Sequence, residues 1–137
     1  MALNYYKKEL KENAQHLASK GKGILAVDES TKTVGKRLAG IGVENTEENR
    51  KAYRGMLFTT EGLGKYISGA ILFEETLFQN HQDGESMVQK LNELGIIPGI
   101  KVDKGLNPLP GGGDVETFCS GLDGLVERAA KYYEQGA

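Results

Sequence analysis

Three short apolar segments of the sequence end in charged residues, and these ends are the first candidates for chemistry. The charged residues are Asp28 and Glu29 after Ile24–Val27, Glu74 and Glu75 after Ile67–Phe73, and Lys101 and Asp103 near the end of Ile96–Val102 and just after it. Asp28 follows four apolar residues, and a desolvated carboxylate in such a place is suited to acid or base catalysis. The sequence leaves open the alternative that Asp28 caps the next helix or forms a structural ion pair.

The spacing of Lys101 and Asp103 offers a second kind of chemistry. The two residues are two positions apart, so on a strand their side chains share one face of the sheet, whereas Ile100 and Val102 share the other. A lysine in this setting can pair with Asp103, bind an anionic ligand such as a phosphate, or act as an activated nucleophile. The sequence alone does not decide among these three roles.

A third candidate is an anion site at the start of the helix that follows Asp28. Lys36 and Arg37 lie one to two turns into this segment, close in sequence to the hydroxyls of Ser30, Thr31 and Thr33. Helix amino-terminal amides, cations and hydroxyls together suit a phosphate ester. A solvated helix face is an equally good interpretation of the two cations. A nucleotide-binding P-loop is excluded, because Arg37 stands where that motif has serine or threonine.

Helical and strand-like segments alternate along the chain and determine where the charged residues lie. Strands are predicted at Ile24–Val27, Ile67–Phe73 and Ile96–Val102, and a long glycine- and proline-rich loop is predicted around 108–113. Helices are predicted at Asn4–Ala18, Thr33–Ala39, Asn45–Phe58 with Asn45 and Glu48 as a capping box, and Ser86–Leu94 with Ser86 and Gln89 as a second box. This order indicates an α/β fold with a parallel sheet, because each crossover needs a helix.

The last predicted helix has one apolar face and is expected to be capped by Ser120. The apolar residues at helical spacing are Leu122, Leu125, Val126, Ala129, Ala130 and Tyr133. The helix completes the third strand–helix unit of the chain. In such folds the carboxyl ends of the parallel strands meet at one edge, where α/β proteins build their active sites.

Composition and charge exclude several classes of protein. The 137 residues fit one domain, and 17 basic against 19 acidic residues give a net charge of −2, so we expect neither nucleic acid nor a membrane as partner. The single cysteine, Cys119, cannot form an internal disulfide, and no signal-like apolar segment occurs, which favours a cytoplasmic location. His16 and His81 are isolated, so both are predicted to be surface residues and no metal site is expected.

Three motifs resemble those of class I fructose-bisphosphate aldolases. They are Gly-Lys-Gly-Ile-Leu-Ala-Val-Asp-Glu-Ser at 21–30, Gly-Val-Glu-Asn-Thr-Glu-Glu-Asn-Arg at 42–50 and Gly-Ile-Lys-Val-Asp-Lys-Gly at 99–105. The resemblance implies a TIM barrel, usually a homotetramer, of glycolysis and gluconeogenesis. The implied reaction is the reversible cleavage of fructose 1,6-bisphosphate to dihydroxyacetone phosphate and glyceraldehyde 3-phosphate. It implies a lysine imine as electron sink, with no metal or other cofactor.

The resemblance also implies a role for individual residues. Asp28 matches the catalytic carboxylate that moves protons near the imine and the hydroxyl at the bond that breaks. Lys101 matches a residue that contacts substrate oxygens and phosphate. The other implied substrate- or phosphate-binding residues are Glu29 as a hydrogen-bonding support, Ser30, Thr33, Lys36, Arg37 and Arg50. Thr33 stands where the family is expected to have serine, a change that keeps the hydroxyl and adds a methyl group.

The family's imine-forming lysine, its acid–base glutamate and a further substrate lysine belong to later strands that these 137 residues do not include. A TIM barrel takes about 250 residues. We therefore expect residues 1–137 to be the amino-terminal part of a single aldolase TIM-barrel domain, namely an amino-terminal helix and the first three of eight strand–helix units. Such an incomplete barrel is expected to be inactive without the remainder of the barrel chain.

Two alternatives remain open at this point. The chain can be a non-catalytic interaction or assembly fragment whose open strands pair with another protein. It can also be a small complete enzyme with Lys101 as nucleophile, an interpretation that the nearby Asp103 and Lys104 disfavour because they promote pairing. A plastid or other organelle also stays compatible with the sequence.

Overall fold

The computed structural model describes residues 5–137 and contains six α-helices and five strands within that range. The helices are α1 Lys7–Leu17, α2 Thr31–Ala39, α3 Glu47–Phe58, α4 Glu74–Leu77, α5 Met87–Glu93 and α6 Leu125–Glu134. The strands are β1 Gly23–Val27, β2 Ile67–Leu72, β3 Ile97–Ile100, β4 Leu106–Pro108 and β5 Thr117–Cys119, and a short 3₁₀ turn covers Leu63–Lys65. Asn4, where the first helix was predicted to begin, lies outside the described residues.

Strands β1, β2 and β3 form one parallel sheet in that order, as predicted. The register places Val27 of β1 opposite Leu72 of β2, and Leu72 opposite Ile100 of β3. All three strands therefore end at the same edge of the sheet. Each connection between the strands includes at least one helix, which a parallel pairing requires.

The hydrophobic core lies on one face of this sheet. Val27, Ala70 and Leu72 pack there with Phe58 of α3 and Leu91 of α5, all of them buried. The opposite face is covered only in part. Leu17 of α1 lies against Gly69 on that face, but Ile24 is 53% exposed and Ala26 is also exposed. Alternation along the strands thus gives this sheet one covered face and one face that is open along β1.

The predicted capping box of α5 is confirmed, whereas that of α3 is wrong. Ser86 accepts a hydrogen bond from the Gln89 amide, and the Gln89 side chain accepts one from the Ser86 amide. The N-cap of helix α3 is Thr46, one residue later than the predicted Asn45, and its hydroxyl accepts a hydrogen bond from the Asn49 amide at 3.2 Å. Asn45 is unavailable for capping because its oxygens accept hydrogen bonds from Arg50.

The end of the chain differs most from the prediction. The expected long loop contains an antiparallel hairpin, with Leu106 of β4 opposite Cys119 of β5. Ser120 does not cap α6, because its hydroxyl bonds within this hairpin region to Asn107 and to the Gly105 carbonyl. Gly124 is the N-cap instead, with φ 66°, a conformation that glycine adopts without a steric penalty.

The predicted apolar face of α6 is mostly uncovered. Leu122 just before the helix is 84% exposed, and Val126 and Tyr133 are 79% and 54% exposed. The helix instead buries Tyr132, which packs in the core and against Phe78. The predicted helix is thus present, but the part of the chain that the structure describes supplies no surface that covers its predicted apolar face.

No helix among residues 5–137 is both long enough and apolar enough to cross a membrane. The same residues contain no cluster of three or more His, Cys, Asp or Glu side chains that could hold a metal ion. Cys119 is an exposed free thiol.

Candidate active site

Asp28 and Lys101 meet at the carboxyl edge of the sheet, as their places at the ends of the first and third predicted strands indicate. Strand β3 is shorter than predicted and ends at Ile100, so Lys101 and Asp103 follow the strand instead of sharing one of its faces. Lys101 Nζ lies 3.9 Å from Asp28 Oδ2 and forms a closer ion pair with Asp103 Oδ1. The Asp103 carboxylate also accepts a hydrogen bond from the Gly105 amide at 2.9 Å, which fixes its orientation. The three side chains are each 29–30% exposed, so a ligand can reach them from solvent.

The electrostatics of Lys101 distinguish among its three possible roles. The hydrogen bond that Lys101 donates to Asp103 raises the pKa of Lys101. This bond and the charge interactions with Asp103 and Asp28 together outweigh the effect of partial burial. The ammonium form is therefore favoured, and an amine nucleophile is disfavoured. The position of the Lys101 ammonium between the carboxylates of Asp28 and Asp103 favours the other two roles, namely pairing with Asp103 and binding of an anionic ligand.

We predict that Asp103→Asn lowers the pKa of Lys101, because the variant removes the hydrogen-bonding anion that contributes most to the shift. Lysines of the 137-residue chain would be ¹³C-methylated, and the Lys101 signal, assigned through Lys101→Arg, followed against pH by NMR. The signal of Lys8, whose side chain is 87% exposed, is the internal control. An unchanged Lys101 titration in Asp103→Asn would contradict this account of the pair.

The predicted anion site at the start of α2 is assembled in part. Ser30, the N-cap of α2, has its hydroxyl 3.2 Å from that of Thr33, and both lie at the surface-accessible end of the helix. Lys36 is exposed and has no ion-pair partner within residues 5–137. Arg37 is engaged, because its Nη2 lies 2.8 Å from Glu29 Oε1. Glu29 therefore supports this site by holding an arginine.

Arg50 is buried in a network instead of projecting freely toward ligand. Its Nε and Nη2 donate to the two carboxylate oxygens of Glu75 at 3.0 and 2.7 Å, and its Nη1 donates to both oxygens of Asn45. Asn45 in turn donates to the Thr31 carbonyl at the start of α2. These bonds tie α3 to the segments that follow β1 and β2. A direct binding role for Arg50 stays a prediction.

Close packing at Gly35 supports the same arrangement. A Cβ atom at this position of α2 would lie 2.4 Å from Asn45 Nδ2, a distance that real contacts essentially never show. Only glycine lets α2 and Asn45 approach this closely. Gly35 therefore serves the packing of α2 against Asn45.

Sequence reasoning did not single out Arg54, although it is the most deeply buried charged residue of the site. Its side chain is 0% exposed, its Nη2 donates to the Glu29 carbonyl at 2.6 Å, and its Nη1 lies 3.5 Å from Glu75 Oε1. Its guanidinium also stacks over the Phe73 ring at 5.4 Å. The one available signal was its position four residues after Arg50, on the same face of α3.

A cleft of about 270 Å³ opens beside Lys101 and Asp103. Ser30, Glu74 and Lys104 also line it, together with Tyr132 from α6. The Tyr132 hydroxyl donates to Glu74 Oε1 at 3.0 Å, and Lys104 Nζ lies 3.8 Å from Glu74 Oε2. The sequence indicates Glu74 only as a charged residue after the second strand and assigns it no role. For Tyr132 the sequence predicts nothing beyond packing of the last helix.

A larger cleft of about 500 Å³ lies elsewhere, between α3 and the loop that carries His81. His81 is partly buried against Gly55 of α3, so its prediction as a surface residue holds only in part. His16 is also only partly exposed, and its Nε2 contacts the Gly95 carbonyl at 2.8 Å. None of the predicted site residues lines this larger cleft, which leaves the strand-end cleft as the candidate active site.

Lys101 lines the strand-end cleft and Asp28 lies beside Lys101, an arrangement that suits proton transfer near a bound anion. Asp28 is a carboxylate that can exchange a proton, and Lys101 is a cation beside it that can hold an oxygen anion or phosphate. Lys36 adds a second cation at the start of α2. Sugar phosphates carry both the hydroxyls and the negative charge that such a site accommodates.

Comparisons with known proteins agree with this interpretation. The family model described as Fructose-bisphosphate aldolase class-I matches residues 9–137. The chain is 60% identical over 132 residues to fructose-bisphosphate aldolase 3, chloroplastic, of Arabidopsis thaliana, which covers 96% of this chain and 34% of the relative. It is 64% identical over 130 residues to fructose-bisphosphate aldolase 1 of Toxoplasma gondii, covering 95% and 36%. The chain spans about a third of the length of the curated relatives it matches.

A solved structure gives the same result in three dimensions. Fructose-bisphosphate aldolase from Plasmodium falciparum, crystallised in complex with TRAP and a small molecule inhibitor, superposes with a TM-score of 0.91 and 58% sequence identity. The match covers 95% of this chain and 37% of the Plasmodium chain. The chain therefore belongs to the class I fructose-bisphosphate aldolase family.

Proposed function

We propose that this chain supplies the amino-terminal third of an enzyme that reversibly cleaves fructose 1,6-bisphosphate to dihydroxyacetone phosphate and glyceraldehyde 3-phosphate. The observation that carries the proposal is the meeting of Asp28 and Lys101 at the carboxyl edge of the parallel sheet, 3.9 Å apart. Membership of the aldolase family supports it independently. The substrate is a phosphorylated sugar, and neither a nucleic acid nor a membrane is part of the proposal.

The fold of the complete domain is proposed to be a (β/α)₈ barrel whose first three strand–helix units lie within residues 1–137. The exposure of Ile24 supports this, because the open face of the sheet would become the barrel interior when further strands close around it. The exposed apolar face of α6 supports the same fold, because the next strand–helix units of a barrel would cover it. In this arrangement the remainder of the barrel is the first partner of the chain.

The chemistry of the cleavage sets the role of each residue. Two three-carbon products require that the bond between carbons 3 and 4 breaks, so the hydroxyl of carbon 4 loses its proton and the bonding electrons move toward carbon 2. The family resemblance assigns the imine-forming lysine to later strands, outside residues 1–137. The imine that this lysine would form at carbon 2 would receive these electrons. Asp28 is proposed to move the protons, and the ammonium of Lys101 to hold substrate oxygens.

The phosphate groups are proposed to bind at the start of α2. Lys36 is exposed and free to approach a phosphate, and Ser30 and Thr33 present hydroxyls next to helix amides. Arg37 joins them when a phosphate competes with Glu29 for its guanidinium. Arg50 supports the same region through Asn45 and Thr31.

The direct test uses a completed enzyme, in which this chain is joined to the carboxyl-terminal part of the 62% identical Spinacia oleracea fructose-bisphosphate aldolase, chloroplastic. We expect this completed enzyme to cleave fructose 1,6-bisphosphate and the 137-residue chain alone to be inactive. Borohydride trapping with dihydroxyacetone phosphate is expected to label the added part and not this chain. A folded completed enzyme without cleavage, or an adduct on Lys101 or Lys104, would overturn the proposal.

The alternative function is a non-catalytic interaction or assembly fragment, which the open sheet face also favours. The two functions differ in their dependence on Asp28. If the chain is an assembly fragment, Asp28→Asn will bind the partner as well as the unsubstituted chain does. The completed enzyme will then show no cleavage of fructose 1,6-bisphosphate, with or without this substitution.

We predict that Lys36→Ala in the completed enzyme mainly weakens substrate binding. Loss of one charge-assisted hydrogen bond to a phosphate raises KM about tenfold, while kcat changes little because Lys36 is proposed to hold a phosphate and not to transfer a proton. Steady-state kinetics with fructose 1,6-bisphosphate measure both constants. Lys51→Ala, at a partly exposed lysine that lines the other cleft, serves as the control. A fall in kcat without a change in KM would assign Lys36 a different role.

The compartment and assembly are also proposals. The names of the Arabidopsis and spinach relatives include the word chloroplastic, which supports a plastid over the cytoplasmic location favoured by composition. A homotetramer rests on the family resemblance. Size-exclusion chromatography with light scattering of the completed enzyme measures the assembly directly.

A further inference from the structure

A fully buried arginine stands directly behind the candidate active site. Arg54 of α3 has 0% side-chain exposure, yet its Nε has no hydrogen-bond partner within the described residues. Burial lowers the pKa of Arg54, and Glu75 offsets this effect in part. A buried arginine of this kind costs more free energy than an apolar residue of similar volume. Packing alone therefore does not explain its presence.

The contacts of Arg54 join the ends of two strands. Its Nη2 donates at 2.6 Å to the carbonyl of Glu29, the residue next to Asp28, in the segment that follows β1. Its Nη1 reaches Glu75, which follows β2, and its guanidinium covers the ring of Phe73. One planar group thus fixes the backbone beside Asp28 relative to β2. A lysine has a single cationic nitrogen and no planar fork with which to make these contacts together.

The bond to the Glu29 carbonyl is the step that connects Arg54 with the chemistry. The short link between β1 and α2 consists of Asp28, Glu29 and Ser30. Its backbone makes helix or strand hydrogen bonds only at its ends, as where the Ser30 carbonyl accepts from the first turn of α2. Without an anchor, this link can rotate and move the Asp28 carboxylate away from Lys101. A displacement of about 1 Å in a catalytic group can cost about 100-fold in rate.

We infer that Arg54 is a positioning residue, which holds the link after β1 so that the Asp28 carboxylate stays beside Lys101. This inference rests on the proposed function for its kinetic consequence. Its structural consequence, the distance between Asp28 and Lys101, does not depend on the reaction.

The kinetic experiment compares Arg54→Lys and Arg54→Met in the completed enzyme. We expect kcat to fall about 100-fold in Arg54→Met and less in Arg54→Lys, with KM changed less than about threefold, because Asp28 moves while the phosphate cations remain. Phe58→Leu, a core variant on the same helix, is the matched control for lost stability. It is expected to lower Tm and leave kcat within about twofold.

The second experiment needs no activity. Lys101 is faced by Asp103, Asp28 and Cys119, and the Asp28 charge contributes to raising its pKa. In the ¹³C-methylated 137-residue chain we expect Arg54→Lys to lower the pKa of Lys101 and Phe58→Leu to leave it unchanged. An unaltered Lys101 titration in Arg54→Lys, or kcat retained within about twofold in either Arg54 variant, would overturn the inference. Failure of the unsubstituted completed enzyme to cleave would overturn only the proposed function.

Discussion

Replacing Asp28 by Asn in the completed enzyme is expected to lower kcat by about 100-fold or more, the usual contribution of a positioned acid or base. The amide keeps the size of the carboxylate and its place 3.9 Å from Lys101, but it cannot take up or return a proton. Substrate binding should change little, because the phosphate cations at the start of α2 are untouched. Stopped-flow and steady-state assays over a range of substrate concentrations separate kcat from KM.

Glu61→Gln is the matched control, since it makes the same chemical change at an exposed position outside the site. We expect the control to behave like the unsubstituted completed enzyme. Retention of kcat within about threefold in Asp28→Asn would remove Asp28 from the proton-transfer role. A rise in KM with unchanged kcat would instead make it a binding residue.

The second large effect concerns stability. One carboxylate, that of Glu75, serves both buried arginines, Arg50 and Arg54, at 2.7 and 3.5 Å. Among the described residues, Glu75→Gln leaves both guanidinium groups without an ion-paired carboxylate. Removing one partner of a buried ion pair typically costs about 3–5 kcal/mol, so we expect the free energy of unfolding to fall by about 3 kcal/mol. Urea denaturation of the completed enzyme, followed by circular dichroism, measures it.

Glu61→Gln is again the control, and we expect it to change the free energy of unfolding by less than about 0.5 kcal/mol. Glu75→Asp tests geometry separately from charge, because the shorter carboxylate keeps its charge but cannot reach both arginines. The loss of unfolding free energy in Glu75→Asp should lie between those of Glu61→Gln and Glu75→Gln. If Glu75→Gln unfolds at the same urea concentration as the unsubstituted protein, the network contributes nothing net and Arg50 is better explained as a ligand-binding residue.

Local patterns predicted much of the fold because their causes are local. Ser86 and Gln89 form their capping box from residues three apart, and the apolar runs that became β1, β2 and β3 carry their own burial signal. The rule that parallel strands end at one edge brought Asp28 and Lys101 together although they are far apart in sequence. That rule located the candidate site without any knowledge of side-chain contacts.

The errors arose where a group outside the expected pattern engages a local one, or where an element is too short to show a pattern. Asn45 is a good helix cap in isolation, but Arg50 engages its oxygens and the cap passes to Thr46. The β4–β5 hairpin was missed because each strand is three residues long, too short to show an alternating pattern. The pairing of Arg54 with Glu75 across 21 positions leaves no trace in residue spacing, so the buried half of the site could not be predicted.

Within residues 5–137, strand β1 lies at one end of the sheet and pairs on one side only, with β2. In the proposed closed barrel its other neighbour is the last strand of the domain, which leaves the ribosome after all the others. The first strand to be made is thus the last to be fully paired, and its free edge is exposed throughout translation. At about 5–20 residues per second this exposure lasts long enough for association with other nascent chains. A chaperone that shields exposed apolar strands is therefore expected to matter more during synthesis of this protein than after its release.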